Sequence, residues 1–199
     1  MYLGLYFEPT LDEERLERFK TMLDSCGPWA RRHAVHALSG PQMAALYDAV
    51  EGKEPLGLEH FCPSGEALVE SIHHGKNSLP MFNRFQKRFC KPDGDDADGS
   101  LWGYNHNSGL VMAVINPGYF TATANDKGEV VIDYGRTPPR KPAAWPAIAA
   151  PSARFGPFVW RGLTDHIRKV TEHVTIGKAF RDGKPEGSYF ALCREDATP

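Results

Sequence analysis

Hydrophobic positions recur at two different periods along this chain, and the change falls near residue 100. Over the first 90 residues they return every three or four positions, the helical period. Thr10-Leu11-Asp12-Glu13 reads as a capping box, with Thr10 as N-cap and Glu13 reaching back. Leu16, Phe19 and Leu23 then fall on one stripe, and "CGP" at 26–28 stops the helix. Ser39-Gly40-Pro41-Gln42 repeats the cap chemistry ahead of Met43, Leu46 and Val50. Ser64 is placed to cap a third helix carrying Leu68 and Ile72, closed by Gly75. Ser78-Leu79-Pro80 opens a fourth, in which Phe82, Phe85 and Phe89 stand at spacings of three and four. Its other face, with Arg84, Lys87 and Arg88, reads as a solvated basic surface rather than an anion site.

The segment "KPDGDDADGS" at 91–100 is an acidic Gly/Asp loop and the clearest internal boundary. Its Asp spacing does not match a calcium loop, and no Glu stands at the twelfth position. Beyond it, short runs rich in β-branched and aromatic residues alternate with turn signals. The pattern predicts strands near 101–106, 109–115, 118–124, 128–135, 157–169, 172–180 and 187–194. The turns between them are "NHNSG", "NPG", "NDKG" and "RDGKPEG". A Pro/Ala-rich crossing over 136–156 carries Trp145 and suits a lid or strap rather than a central strand. Successive strands without intervening helices form an antiparallel sheet, and seven or more hide their edges best by closing into a small up-and-down barrel. The expected fold is therefore α+β: a helical region over 1–90, the loop at 91–100, and an antiparallel barrel over 101–199.

Composition narrows the function classes. With 41% apolar and 24% charged residues among 199, the chain is an ordinary globular one with enough length for a sizeable core. A net charge of −2 and a pI near 6.4 argue against a nucleic-acid partner. The opening residues lack the features of a secretory leader, and no run reaches the ~18 apolar residues of a membrane span. Cys26, Cys62, Cys90 and Cys193 are scattered without CxxC pairing, which suits free thiols in the cytoplasm.

The string "VWRGLTDHIRKVTEHVTIGKAF" at 159–180, followed by "YFALCRE" at 189–195, resembles the C-terminal part of a bacterial domain family of unknown function. That family is recognised by a Gly-x-Trp-x-Gly motif. The matching positions are Asp165, Arg168, Val170 and Gly177, across at most the last 100 residues. The motif itself is missing here, where only "LWGYN" stands at 101–105. The resemblance implies a lipocalin-like β-barrel.

Strand alternation then assigns candidate chemistry. Trp160, Thr164, His166 and Arg168 share a face, opposite Leu163, Asp165 and Ile167. Trp102, Tyr104 and His106 share another. If these mixed faces line the interior, the cavity contains Trp102, Tyr104, His106, Tyr119, Tyr134, Trp160, His166 and Arg168. Aromatic walls with a few convergent polar groups suit a small aromatic ligand. In that arrangement Arg168 anchors an anionic group, with Trp102, Tyr119 and Trp160 as walls. Tyr104 and Tyr134 bind or deprotonate a phenol, and His106 or His166 moves the proton. The competing structural reading puts these residues at a hydrogen-bonded barrel rim, with Asp165 and Arg168 as an ion pair. His106, His166 and His173 would be the imidazoles of a metal site, but no ligand spacing supports one. Nucleotide-binding and serine-hydrolase motifs are also missing. The expectation is a cofactor-independent, decarboxylase-like lyase acting on a small phenolic compound. The alternative is a binding protein for an apolar or aromatic ligand. The helical half would cap one barrel end or form a homodimer interface.

Overall fold

The structure is a computed structural model, and it describes residues 11–81, 83–94, 99–107, 117–148 and 160–196. Three short helices come first: α1 (Glu13–Ser25), α2 (Pro28–Ala37) and α3 (Gly40–Ala49). The cap of α1 is Asp12, whose carboxylate accepts from the Arg15 amide at 2.8 Å, so the capping box expected at Thr10 and Glu13 shifts by two positions. Thr10 itself lies outside the described residues. Pro28 occupies the first turn of α2, where its missing N–H costs nothing; the "CGP" that ends one helix also starts the next. At α3 the expected capping box is present, with Ser39 and Gln42 bonded reciprocally and Met43, Leu46 and Val50 buried.

Eight strands follow: β1 (Ser71–Asn77), β2 (Arg84–Cys90), β3 (Leu101–His106), β4 (Tyr119–Ala124), β5 (Val130–Asp133), β6 (Leu163–Lys169), β7 (Val174–Arg181) and β8 (Lys184–Arg194). Each pairs antiparallel with the next, and β8 closes on β1, giving a closed up-and-down barrel. The α+β class and the barrel expected from the sequence are therefore present. The helical readings of 64–75 and 78–89 are not. Those segments supply β1 and β2, so the barrel begins at residue 71 rather than 101. Positions i and i+4 lie on one face of a strand as well as of a helix, which is why Phe85 and Phe89 satisfied the helical pattern. Phe82 and the strand expected at 109–115 lie outside the described residues.

Two apolar layers meet at the barrel wall. The interior cluster includes Phe61, Phe89, Leu101, Phe120, Ile132, Ile167 and Leu192. The second cluster packs Leu16, Phe19, Leu23, Val35, Met43 and Leu46 of the helices against Val174, Ile176, Ala191 and Cys193 on the outside of β7 and β8. Alternate residues of β7 and β8 thus face two different cores, so these strands read as nearly continuous apolar runs. A third cluster lies on the outer face of β3 and β4, where Trp145 of the Pro/Ala-rich strap covers Trp102, Tyr104 and Tyr119. No described helix is long and apolar enough to cross a membrane.

Candidate functional site

The β2 sequence Phe85-Gln86-Lys87-Arg88-Phe89 alternates ring, polar, lysine, polar, ring. Strand geometry turns Phe85, Lys87 and Phe89 inward together. Lys87 is only 2% exposed, at the hub of a buried polar cluster. Its ammonium donates to Asn105 Oδ1 on β3 at 2.9 Å, to Asp165 Oδ2 on β6 at 2.9 Å, and to the hydroxyl of Tyr134, just past β5. Asn105 Nδ2 donates to the Tyr134 oxygen at 3.0 Å, and the Tyr134 hydroxyl donates to Asp165 Oδ2 at 2.9 Å. Four strands or strand ends therefore converge on one point inside the barrel.

Rings surround that point. The ammonium lies 5.0 Å from the ring centre of Phe190, 5.1 Å from Tyr134, 5.3 Å from Phe120 and 5.6 Å from Phe85. Distances below about 6 Å are within the range of cation–π attraction. The sheet makes room for the rings with glycines: a Cβ on Gly75 would sit 2.6 Å from the Phe85 ring, and Gly103 and Gly177 accommodate Phe120 and Phe190 in the same way. Trp160 stacks on Tyr134 at 4.8 Å and 22°. Its indole nitrogen is buried without a hydrogen-bond partner among the described residues.

Burial sets the protonation behaviour of the cluster. It pulls the Lys87 pKa down from the usual lysine value, against the opposing pull of the Asp165 charge. It pushes the Tyr134 phenol well above 10, reinforced by the neighbouring Asp165 charge. With its hydroxyl donating to Asp165, Tyr134 is a neutral donor in this cluster. Tyr104 is also shifted upward, by desolvation.

The other expected lining residues lie on the far side of the wall. The sharing of a face by Thr164, His166 and Arg168 is correct, but that face is the outer one. Arg168 reaches α3, bonding the Tyr47 carbonyl at 2.9 Å and Glu51 at 2.8 Å, stacking 3.9 Å over the Tyr47 ring, and pairing with Glu129 at 2.8 Å. His166 contacts the same Glu129 at 3.2 Å and the Phe180 ring at 4.5 Å. Trp102, Tyr104 and Tyr119 belong to the cluster under Trp145, and His106 sits 3.4 Å from the Tyr104 hydroxyl. Of the eight residues expected together, only Tyr134 and Trp160 are joined to the inner cluster. The expected Asp165–Arg168 ion pair does not form, because the two residues project to opposite sides of the sheet.

His106, His166 and His173 do not come together; His173 Nδ1 stands 3.1 Å from an Asp196 carboxylate oxygen. No group of three or more His, Cys, Asp or Glu residues among those described is arranged to hold a metal ion. Lys87 and Asn105 are absent from the expected site, and Asp165 was expected on the face opposite it. Their signal was the period-two alternation around Lys87, and the pattern Leu101-x-Gly103-x-Asn105 on the strand beside it.

No protein-family model, curated protein or solved structure matches this chain.

Proposed function

We propose that the chain is a lipocalin-like barrel that binds a small aromatic compound and acts on it as a cofactor-independent lyase, with Lys87, Asp165, Tyr134 and Asn105 as its reactive centre. The carrying observation is the ammonium of Lys87 held inside a ring-walled barrel by three oxygen acceptors. Burying an ion pair is costly, and an apolar filling of equal volume is often as stable or more so, so a stability role alone does not account for this cluster. Strongly perturbed charged groups facing an aromatic interior are a recurring feature of catalytic sites.

For a phenolic acid the chemistry runs without a cofactor. Asp165 accepts the phenolic proton while the Lys87 ammonium stabilises the resulting phenolate. The α-carbon then takes a proton from solvent, the one proton the net reaction consumes, giving a quinone-methide-like state. Loss of carbon dioxide returns the electron pair to the ring, and the phenolate recovers its proton from Asp165. Tyr134 and Asn105 orient the oxygen, Trp160 stacks on the ring, and its free N–H donates to the substrate. Acid–base help of this kind is worth roughly 10²–10⁴-fold.

A second reading, a barrel that binds without turning over its ligand, is favoured by one observation. All three Lys87 N–H groups already donate to protein oxygens, so none is left to commit to a reacting oxygen. Four free thiols suit a cytoplasmic setting for either reading.

The test is a panel of hydroxycinnamic and hydroxybenzoic acids, followed for carbon dioxide release and for binding by calorimetry. Wild-type chain is compared with Tyr134→Phe and with the double variant Lys87→Met/Asp165→Leu, which removes both charges together. Turnover that falls at least a hundredfold in the double variant supports the lyase. Saturable binding without product in the wild type supports the binder, and neither binding nor turnover would discard both.

A further inference from the structure

A second constellation lies outside the barrel, where α2 packs on β1 and β8. Trp29, Arg32, His33 and His36 follow one another at helical spacings on one side of α2, and with Arg84 at the start of β2 they line a pocket of about 250 Å³. Trp29 is 71% exposed, and its indole stacks on His33 at 5.3 Å and 12°. Arg32 stands 3.3 Å from His74 Nε2. Arg84 is exposed and makes no ion pair with a described residue.

None of the five lining residues is acidic. The carboxylate of Glu195 stands 3.5 Å from His74 Nε2 and is outside the lining. His36 Nε2 is buried and has no hydrogen-bond partner among the described residues. Burial, together with the charges of Arg84, His74, Arg32 and Lys76, pushes the His36 pKa down to about 4. The imidazole is therefore neutral near pH 7 and can present an N–H from Nε2 without adding charge. A concave site with clustered cations, an unpaired buried nitrogen and an open indole lacks only an anion.

We propose that this pocket binds a phosphate monoester carried on a planar aromatic group, with Arg32, Arg84 and His36 Nε2 holding the phosphoryl oxygens and Trp29 stacking the ring. A dianion matches the two guanidiniums and the nearby Lys76 better than a monocarboxylate does. Arginine also offers the forked geometry that phosphate oxygens accept. Exposed indole gives the aromatic portion a flat surface at little conformational cost. The site is independent of the barrel cluster.

The experiment titrates phenyl phosphate, inorganic phosphate and benzoate into the full chain by calorimetry, with the His36 imidazole followed by NMR. Phenyl phosphate is expected to bind saturably and to shift the His36 resonances. Inorganic phosphate should bind at least fivefold more weakly, and benzoate at least tenfold. Arg84→Gln should weaken phenyl phosphate at least tenfold. Trp29→Ala should erase the advantage of phenyl phosphate over inorganic phosphate while leaving the latter within twofold. Both substituted side chains are exposed, so each variant can be checked for an unchanged fold by circular dichroism. The proposal is overturned if phenyl phosphate shows no saturable binding, if benzoate binds as tightly, or if Arg84→Gln binds like the wild type.

Discussion

Lys87 and Asp165 meet at 2.9 Å inside the barrel although 78 residues separate them in the chain. Their side chains are 2% and 6% exposed, so neither charge has water as an alternative partner. Folding must bring β2 and β6 into register before either charge is compensated.

Removing one member of this pair should therefore cost far more than removing both. Lys87→Met leaves a buried carboxylate unpaired and is expected to lose about 3–5 kcal/mol of unfolding free energy. Adding Asp165→Leu should recover most of that loss. Urea unfolding of the two single variants and the double variant, read as a double-mutant cycle, measures the coupling.

Acid should destabilise the fold through two buried histidines. Desolvation lowers His60 to about 2 and His73 to about 3, while the unfolded chain titrates near 6.5. Below pH 6.5 the unfolded state binds more protons. The stability these rings contribute is thus whole above that pH and is lost as pH falls toward the folded values. Each pH unit well inside that window removes about 1.4 kcal/mol per histidine. Urea unfolding from pH 7 to pH 5 should show the decline, and His73→Phe should make it shallower by about one histidine's share.

The close seat of the Phe120 ring makes Gly103 sensitive to a single methyl group. A Cβ there would meet that ring and stand 2.6 Å from the Arg88 carbonyl, which belongs to the neighbouring strand and cannot swing away. Gly103→Ala is expected to cost about 1–3 kcal/mol, visible as a lowered melting temperature.

Arg168 ties the barrel to α3 through the Tyr47 carbonyl and Glu51, and it satisfies the 5%-exposed Glu129. Arg168→Ala should lower stability by about 1–3 kcal/mol. Hydrogen exchange should quicken first in α3, because the lost contacts are the ones that hold that helix to β6.

The closed antiparallel wall was legible from residue 101 onward because those strands announce themselves by hairpin turns and β-branched residues. Leu101–His106 was bounded correctly, and the "NDKG" turn is a real hairpin in which Asn125 Oδ1 accepts from the Lys127 and Glu129 amides. β1 was hidden because Ser71-Ile72-His73-His74-Gly75 has little intrinsic strand preference; it is held by its neighbours β2 and β8. The site was inverted for a related reason. Alternation tells which residues share a face but not which face is inside. On β3 both faces are buried, one by the core and one by the Trp145 strap. Polar Lys87, Asn105 and Asp165 inside, with Trp102 and Tyr104 outside, reverse the usual cue.

A small aromatic ligand of the proposed kind meets the inner cluster rather than the outer face of β6. Side-chain NMR of Lys87 and His166 during titration with a hydroxycinnamic acid tests it directly. The expected result is a saturable shift of the Lys87 ammonium and Tyr134 signals while the His166 ring signals stay in place. Saturable movement of His166 with Lys87 and Tyr134 unmoved would contradict it.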